Sequence, residues 1–429
     1  MQQASRRQYR ARCRLGAAAT ALAAVAGLLG APGPAGAATS APDFYTPPAS
    51  LPAGKPGDLI RTEPSPLGLP LPAKATRLMY RSTDVHGAPI AVTGTMLAPT
   101  AAWRGSGPRP LVSLAIGTHG QGDQCAPSKL LNTAVHYRPP FDLMAGYEVL
   151  AMSSLLSRGY AVVVTDYQGL GTPGTHAYLN PVAEGHAVID AARAAQRLPG
   201  TPAPAGGPVA FWGYSQGGGA AGGAAEAAGA YAPELDLRGS YVGAAPTDLA
   251  ALSDKLSGTL LSGVLGYYLN GLVAAYPHAA PIIQSGLNRA GKAMLQRVAG
   301  QCVVETALDY GFHRSGDFTA HGEPITAMLN ANPETRAILA SHRLGAIPPS
   351  APVLMSTGDN DDIVPASAVR ATAADWCRRG ATVRVDNLQL PAVLPGTALG
   401  HIANYLAATP AALDWLAGRF AGSPAPSTC

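Results

Sequence analysis

The chain has 429 residues, 47% of them hydrophobic and 13% charged, with a formal net charge of +4. That apolar content supports a sizeable core and excludes disorder over most of the length. The weak charge, with no basic run after the N-terminus, excludes nucleic acid as a partner.

Residues 1–37 read as a signal peptide. Arg6, Arg7, Arg10, Arg12 and Arg14 precede the apolar stretch 16–29 and the small-residue pattern Ala35-Gly36-Ala37. The apolar stretch is too short to span a bilayer, so export to the extracellular side is expected, without stable membrane insertion. Cys13 would leave with that segment. Cys125, Cys302, Cys377 and Cys429 then remain, an even number that reads as two disulfides with three possible pairings. No spacing suggests a zinc site.

Residues 38–72 are rich in proline and small residues and read as a surface leader. From 73 to 246 the chain alternates strand and helix. Extended segments 75–80 and 90–97 flank a turn at His86-Gly87, and short apolar strands follow at 111–116 and 161–165. Residues 181–198 form a helix with Val182, Ile189, Ala192 and Ala195 on one face and Asp190, Arg193 and Arg197 on the other. A strand at 208–212, a small-residue helix at 218–230 and a strand at 237–244 complete this part. Residues 247–350 carry no clear strand and read as a helical insertion rich in Leu, Val and Tyr, placed as a cap or lid. Residues 351–429 return to the first pattern, with strands at 353–357 and 382–388 and helices at 367–379 and 410–420. Continuous apolar strands alternating with helices imply an α/β fold with a mostly parallel central sheet flanked by helices.

The chemical signal is Gly213-Tyr214-Ser215-Gln216-Gly217, a G-x-S-x-G pattern. Alone it is weak, but here a strand precedes it and a helix follows, as in a nucleophile elbow. The tight turn requires glycines beside the serine, and the helix N-terminus favours developing negative charge. A serine hydroxyl needs a base to remove its proton, and this arrangement expects a histidine late in the chain, after an acid. His401 fits, in an expected loop between the last strand and the last helix. His342 comes before the acid-bearing strand, and His313 and His321 fall in the insertion. The acid follows the strand at 353–357, where Asp361 is preferred over Asp362 and Asp359; the others read as helix caps. An oxyanion hole needs two backbone N–H groups. One is that of Gln216. The other comes from the loop Thr118-His119-Gly120-Gln121-Gly122, where Gly120 and Gln121 both remain open and His119 reads as loop support.

These residues resemble the secretory lipase family of α/β-hydrolases, the lipase A type. The match runs through Thr118-His119-Gly120, Cys125-Ala126-Pro127-Ser128, Asp166-Tyr167-Gln168-Gly169-Leu170-Gly171, Gly213 to Gly218, Asp361 to Pro365, Cys377-Arg378-Arg379-Gly380-Ala381 and His401. The resemblance implies an α/β-hydrolase fold and a triad of Ser215, Asp361 and His401. It also implies a helical lid at the insertion and disulfides Cys125–Cys302 and Cys377–Cys429. Gly120 stands about where the lipase A type carries an acidic residue. The expected activity is two-step ester hydrolysis without metal or cofactor, on a lipid or small ester, with the lid meeting a lipid–water interface. An aminopeptidase or acyltransferase on the same fold is the nearer alternative, with Glu305 or Glu323 to hold an amino group. A non-catalytic binding protein is the distant one.

Overall fold

A computed structural model describes residues 43–429. The expected signal peptide and Cys13 lie outside the described residues. The chain opens with three antiparallel strands, β1 (Leu59–Ser65), β2 (Ala73–Thr83) and β3 (Pro89–Pro99), and a buried strand, β4 (Leu111–Ala115). Helix α1 (Pro127–Thr133), a small hairpin of β5 (Val135–Arg138) and β6 (Asp142–Ala145), and α2 (Val149–Ser157) follow. The alternation then runs β7 (Ala161–Thr165), α3 (Pro181–Arg197), β8 (Pro208–Tyr214), α4 (Gln216–Tyr231) and β9 (Asp236–Gly243).

Seven helices separate β9 from the next strand: α5 (Leu249–Leu256), α6 (Val264–Ala275), α7 (Ala280–Gly286), α8 (Arg289–Val298), α9 (Val303–Tyr310), α10 (Ile325–Ala331) and α11 (Pro333–Ser341). The chain closes with β10 (Val353–Gly358), α12 (Ala366–Arg378), β11 (Val383–Leu388) and α13 (Leu399–Phe420). Nine strands form one sheet in the order β1-β2-β3-β7-β4-β8-β9-β10-β11, parallel from β7 to β11. Strands β4 and β7 are buried at every position, which is why they read as unbroken apolar runs. Helices α3 and α4 pack on each other and on the central strands, and α2 and α13 do likewise. Asp43–Cys429 makes one compact unit. Among the described residues no helix is long and apolar enough to cross a membrane.

Three expectations change. Leu59–Ser65, read within a surface leader, pairs with β2 as the edge strand of the sheet. The supposed outer face of α3 is covered in part: Arg193 is buried, Arg197 stays exposed, and Asp190 is fully buried and accepts from Ser82 Oγ at 2.7 Å, Arg193 at 2.9 Å and Tyr231 at 2.9 Å. The last helix begins at Leu399, not Pro410, and runs through Pro410. Burial of Ala412, Leu413, Trp415 and Leu416 on the far side of that proline outweighs the lost ladder bond. His401 therefore sits on the first turn of α13 and not in a loop.

Candidate active site

Ser215 stands between β8 and α4 with φ 59° and ψ −128°, a conformation that non-glycine residues rarely adopt. The strain is held by neighbours. Ser215 N–H donates to Gly243 O at 2.9 Å, and a Cβ on Gly217 would overlap the Ala115 carbonyl oxygen at the end of β4. Gly217→Ala is therefore expected to destabilise the chain by about 3 kcal/mol and to lower activity by displacing the elbow. Thermal melting and an ester assay on one preparation check both effects.

The three aspartates separate cleanly. Asp361 Oδ2 faces His401 Nδ1 at 2.8 Å, while its Oδ1 accepts from Ile363 N at 3.0 Å and Val364 N at 2.9 Å. Asp362 accepts from Ala398 N at 2.8 Å and His401 N at 3.0 Å, so it caps α13 from outside the helix. Asp359 lies at the surface, paired with Arg370 at 2.6 Å. Burial by itself raises the Asp361 carboxyl, but the facing His401 and the two N–H donors outweigh it and hold the group below the usual carboxylate range. A carboxyl depressed on folding adds stability above its unfolded pKa, and that stability is lost as pH falls through the folded value.

The other ring nitrogen of His401, Nε2, is buried and has no hydrogen-bond partner among the described residues. Tyr214, next to the elbow serine, brings the two elements together. Its ring lies 5.0 Å from the His401 ring, and its hydroxyl donates to His401 O at 2.7 Å.

Ser215 and Gln216 line an apolar pocket whose wall includes Leu252, Leu256, Leu261 and Val264 from the helical segment between β9 and β10. Thr118 reaches the same pocket from the loop after β4. In that loop, Gln121 N–H is already spent on Gln301 O at 3.0 Å, and Val303 N–H donates to His119 O at 2.8 Å. Gly120 pairs antiparallel with Cys302 between those two bonds. Its own N–H therefore points away from the 301–303 segment, and it has no protein acceptor among the described residues. Gly120 has φ 146°, and a Cβ there would lie 2.6 Å from Cys302 Cα. Among the remaining histidines, His342 is buried against Tyr276 at 3.0 Å. His313 and His321 belong to the helical segment, as expected.

Both cysteine pairs are bonded: Cys125–Cys302 and Cys377–Cys429, with Cα separations of 5.6 and 5.4 Å. One cluster of His136, Asp142 and Cys302 has donor atoms near one another. The Cys302 sulfur is taken by its disulfide and His136 is bonded to Asp142 at 2.9 Å, so the group does not suit a metal.

Sequence reasoning passes over three buried groups beside the site. Glu148, just before α2, accepts from Gly117 N at 2.7 Å and pairs with His119 Nε2 at 2.9 Å. This pair gives His119 its supporting place in the loop. Glu184 on α3 and His176 before it flank Gln216. The available signal is a lone acid set in small apolar residues, as in Ala183-Glu184-Gly185.

A family model described as "Secretory lipase" matches residues 140–428, most of the described chain. The chain belongs to the secretory lipase family. Among relatives of this chain, one from Mycobacterium tuberculosis carries the name "Probable inactive lipase MT1628". It is 31% identical over 389 residues, covering 89% of this chain and 82% of its own. A "Secreted triacylglycerol lipase LIP7" from Malassezia globosa is 29% identical, covering 90% and 80%. In fold, the chain is similar to Candida antarctica lipase A in its closed state, with a TM-score of 0.78 at 23% identity, covering 90% of this chain and 87% of that one. The architecture is thus that of the α/β-hydrolases.

Proposed function

We propose that this secretory lipase is an exported serine esterase or lipase that hydrolyses carboxylic esters with an apolar acyl group, acylglycerols among them. The observation that carries the reading is the His401 imidazole: Nδ1 is held by Asp361 while Nε2 has no partner among the described residues, and Tyr214 ties His401 to the turn that carries the strained Ser215 at a helix N-terminus. In this mechanism Ser215 attacks the ester carbonyl as His401 takes its proton. Asp361 fixes the tautomer and stabilises the imidazolium. The Gln216 and Gly120 N–H groups receive the oxyanion, Gly120 being favoured because the Gln121 N–H is engaged. His401 then protonates the leaving alcohol, and water repeats the cycle on the acyl-enzyme.

The apolar wall from α5 and α6 supports an acyl chain lying under the helical segment, 247–350, which we read as a lid over the core parts 73–246 and 351–429. Among the described residues no carboxylate lines this pocket. Glu305 lies near Arg297 at 3.7 Å, and Glu323 accepts from His321 N at 3.1 Å, which weakens the aminopeptidase reading. A non-catalytic binding role is favoured by one finding, the relative named as an inactive lipase. Esters of graded acyl length, aminoacyl anilides and a serine-reactive phosphonate separate these readings. The expected result is hydrolysis of esters over anilides with label on Ser215. Anilide turnover, or no label, would overturn the ester reading.

A further inference from the structure

A sealed polar cluster lies beneath the elbow, and the proposed chemistry leaves it without a task. Glu184, in the first turns of α3, is 1% exposed, and His176 is fully buried. Glu184 Oε1 accepts from Gln216 Nε2 at 2.7 Å and from Leu179 N at 3.0 Å. His176 Nδ1 meets Gln168 O at 3.1 Å; a carbonyl only accepts, so this nitrogen carries the proton. His176 Nε2 then accepts the second amide proton of Gln216, at 3.0 Å. Both side-chain protons of the residue after the nucleophile are thereby gripped.

The cluster reaches the other half of the oxyanion hole as well. The Tyr167 ring stacks on His176 at 5.7 Å, and its hydroxyl donates to Ile116 O at 2.8 Å, where the oxyanion loop leaves β4. Gln121, in that loop, donates to Tyr267 O at 3.2 Å and to His176 O at 3.4 Å. A buried carboxyl is costly to keep, and an amide would satisfy the same two donors without that cost. Its position behind the oxyanion donors gives it a use.

We infer that Glu184 is a positioning residue for the oxyanion hole, which with His176 grips the Gln216 side chain and so aims the Gln216 main-chain N–H at the developing charge. The inference rests on the acyl-transfer reading above. Burial pushes the Glu184 carboxyl up to about 8 and the His176 imidazole down to about 4, so both are uncharged near neutral pH. The groups facing Glu184 are His176, Tyr167 and Tyr178. Burial raises both phenols, and Glu148 beyond Tyr167 is held in its carboxylate form. None of them supplies a cation. When pH rises and Glu184 ionises, an uncompensated negative charge forms behind the donors that must stabilise another, and the rate should fall.

The test uses the full chain, with a short-chain ester followed by titration of released acid across about pH 6 to 10, and phosphonate labelling to count active sites. Glu184→Ala is expected to lower kcat about tenfold with KM nearly unchanged. Glu184→Gln keeps the acceptor, so it should restore most of the neutral-pH kcat and lose the alkaline decline near pH 8 seen in wild type. The inference fails if Glu184→Ala matches wild type, or if Glu184→Gln retains the wild-type alkaline decline. Should the alanine variant not fold, the glutamine profile decides alone. A wild type that is neither labelled nor active removes the acyl-transfer reading, and the inference with it. A labelled, active wild type whose pH profile the glutamine variant reproduces removes the inference only.

Discussion

Replacing Ser215 with alanine is expected to cut ester hydrolysis by at least about a thousandfold, because the members of a nucleophile–base–acid set act as a unit. Little else should change. Ser215 is held through its backbone, by the bond from its N–H to Gly243 O and by the close packing of Gly217 on β4, and alanine retains both. The melting temperature should stay close to that of wild type, since the Ser215 side chain is only half-buried. The measurement is initial rate on the ester series, together with thermal melting of the same preparation. A loss below about tenfold with an unchanged melt would mean that the hydroxyl is not the attacking group.

The second large effect belongs to a covalent link. The Cys125–Cys302 disulfide ties the turn after the oxyanion loop to the start of α9, across 177 residues of sequence. Both cysteines are fully buried, in an apolar cluster with Leu130 and Met144. Closing so long a segment restricts the unfolded chain strongly, so replacing both cysteines with alanine should cost about 4 kcal/mol and lower the melting temperature by several degrees. Activity should fall too. The disulfide presses Cys302 against Gly120, and the bonds from Gln121 and Gly122 to Gln301 O hold the same loop. The Cys377–Cys429 pair supplies the control. It closes 52 residues and anchors the C-terminal tail to β11, the edge strand of the sheet, whereas the oxyanion loop follows the central β4. Its removal should lower the melting temperature while sparing kcat. If both double variants kept wild-type kcat, the first disulfide would have no part in shaping the oxyanion loop.

Much of the architecture is written in local pattern. The short apolar runs at 111–115 and 161–165 fit strands covered on both faces, and their alternation with helices points to a parallel sheet. The elbow is equally local, because strand, glycine, serine and small-residue helix follow within a few positions. Burial of a short run and the conformational needs of glycine depend on neighbours in sequence, so the sequence by itself determined the fold class and the place of Ser215.

Other features had to await the tertiary structure. Asp361 and Asp362 are adjacent and chemically alike. Only the approach of α13 decides that one meets the His401 ring while the other caps its backbone. Gly120 and Gln121 are likewise neighbours, and alternate N–H directions beside Gln301 and Cys302 leave one free and the other spent. The proline at 410 marks a helix start by local rule, yet packing on the sheet carries the helix through it. Glu184 reads as an ordinary helix acid until α4 is laid beside α3. In each case local preference either fails to choose or, at Pro410, opposes the outcome, and a contact between residues far apart in sequence supplies the difference in free energy that selects it.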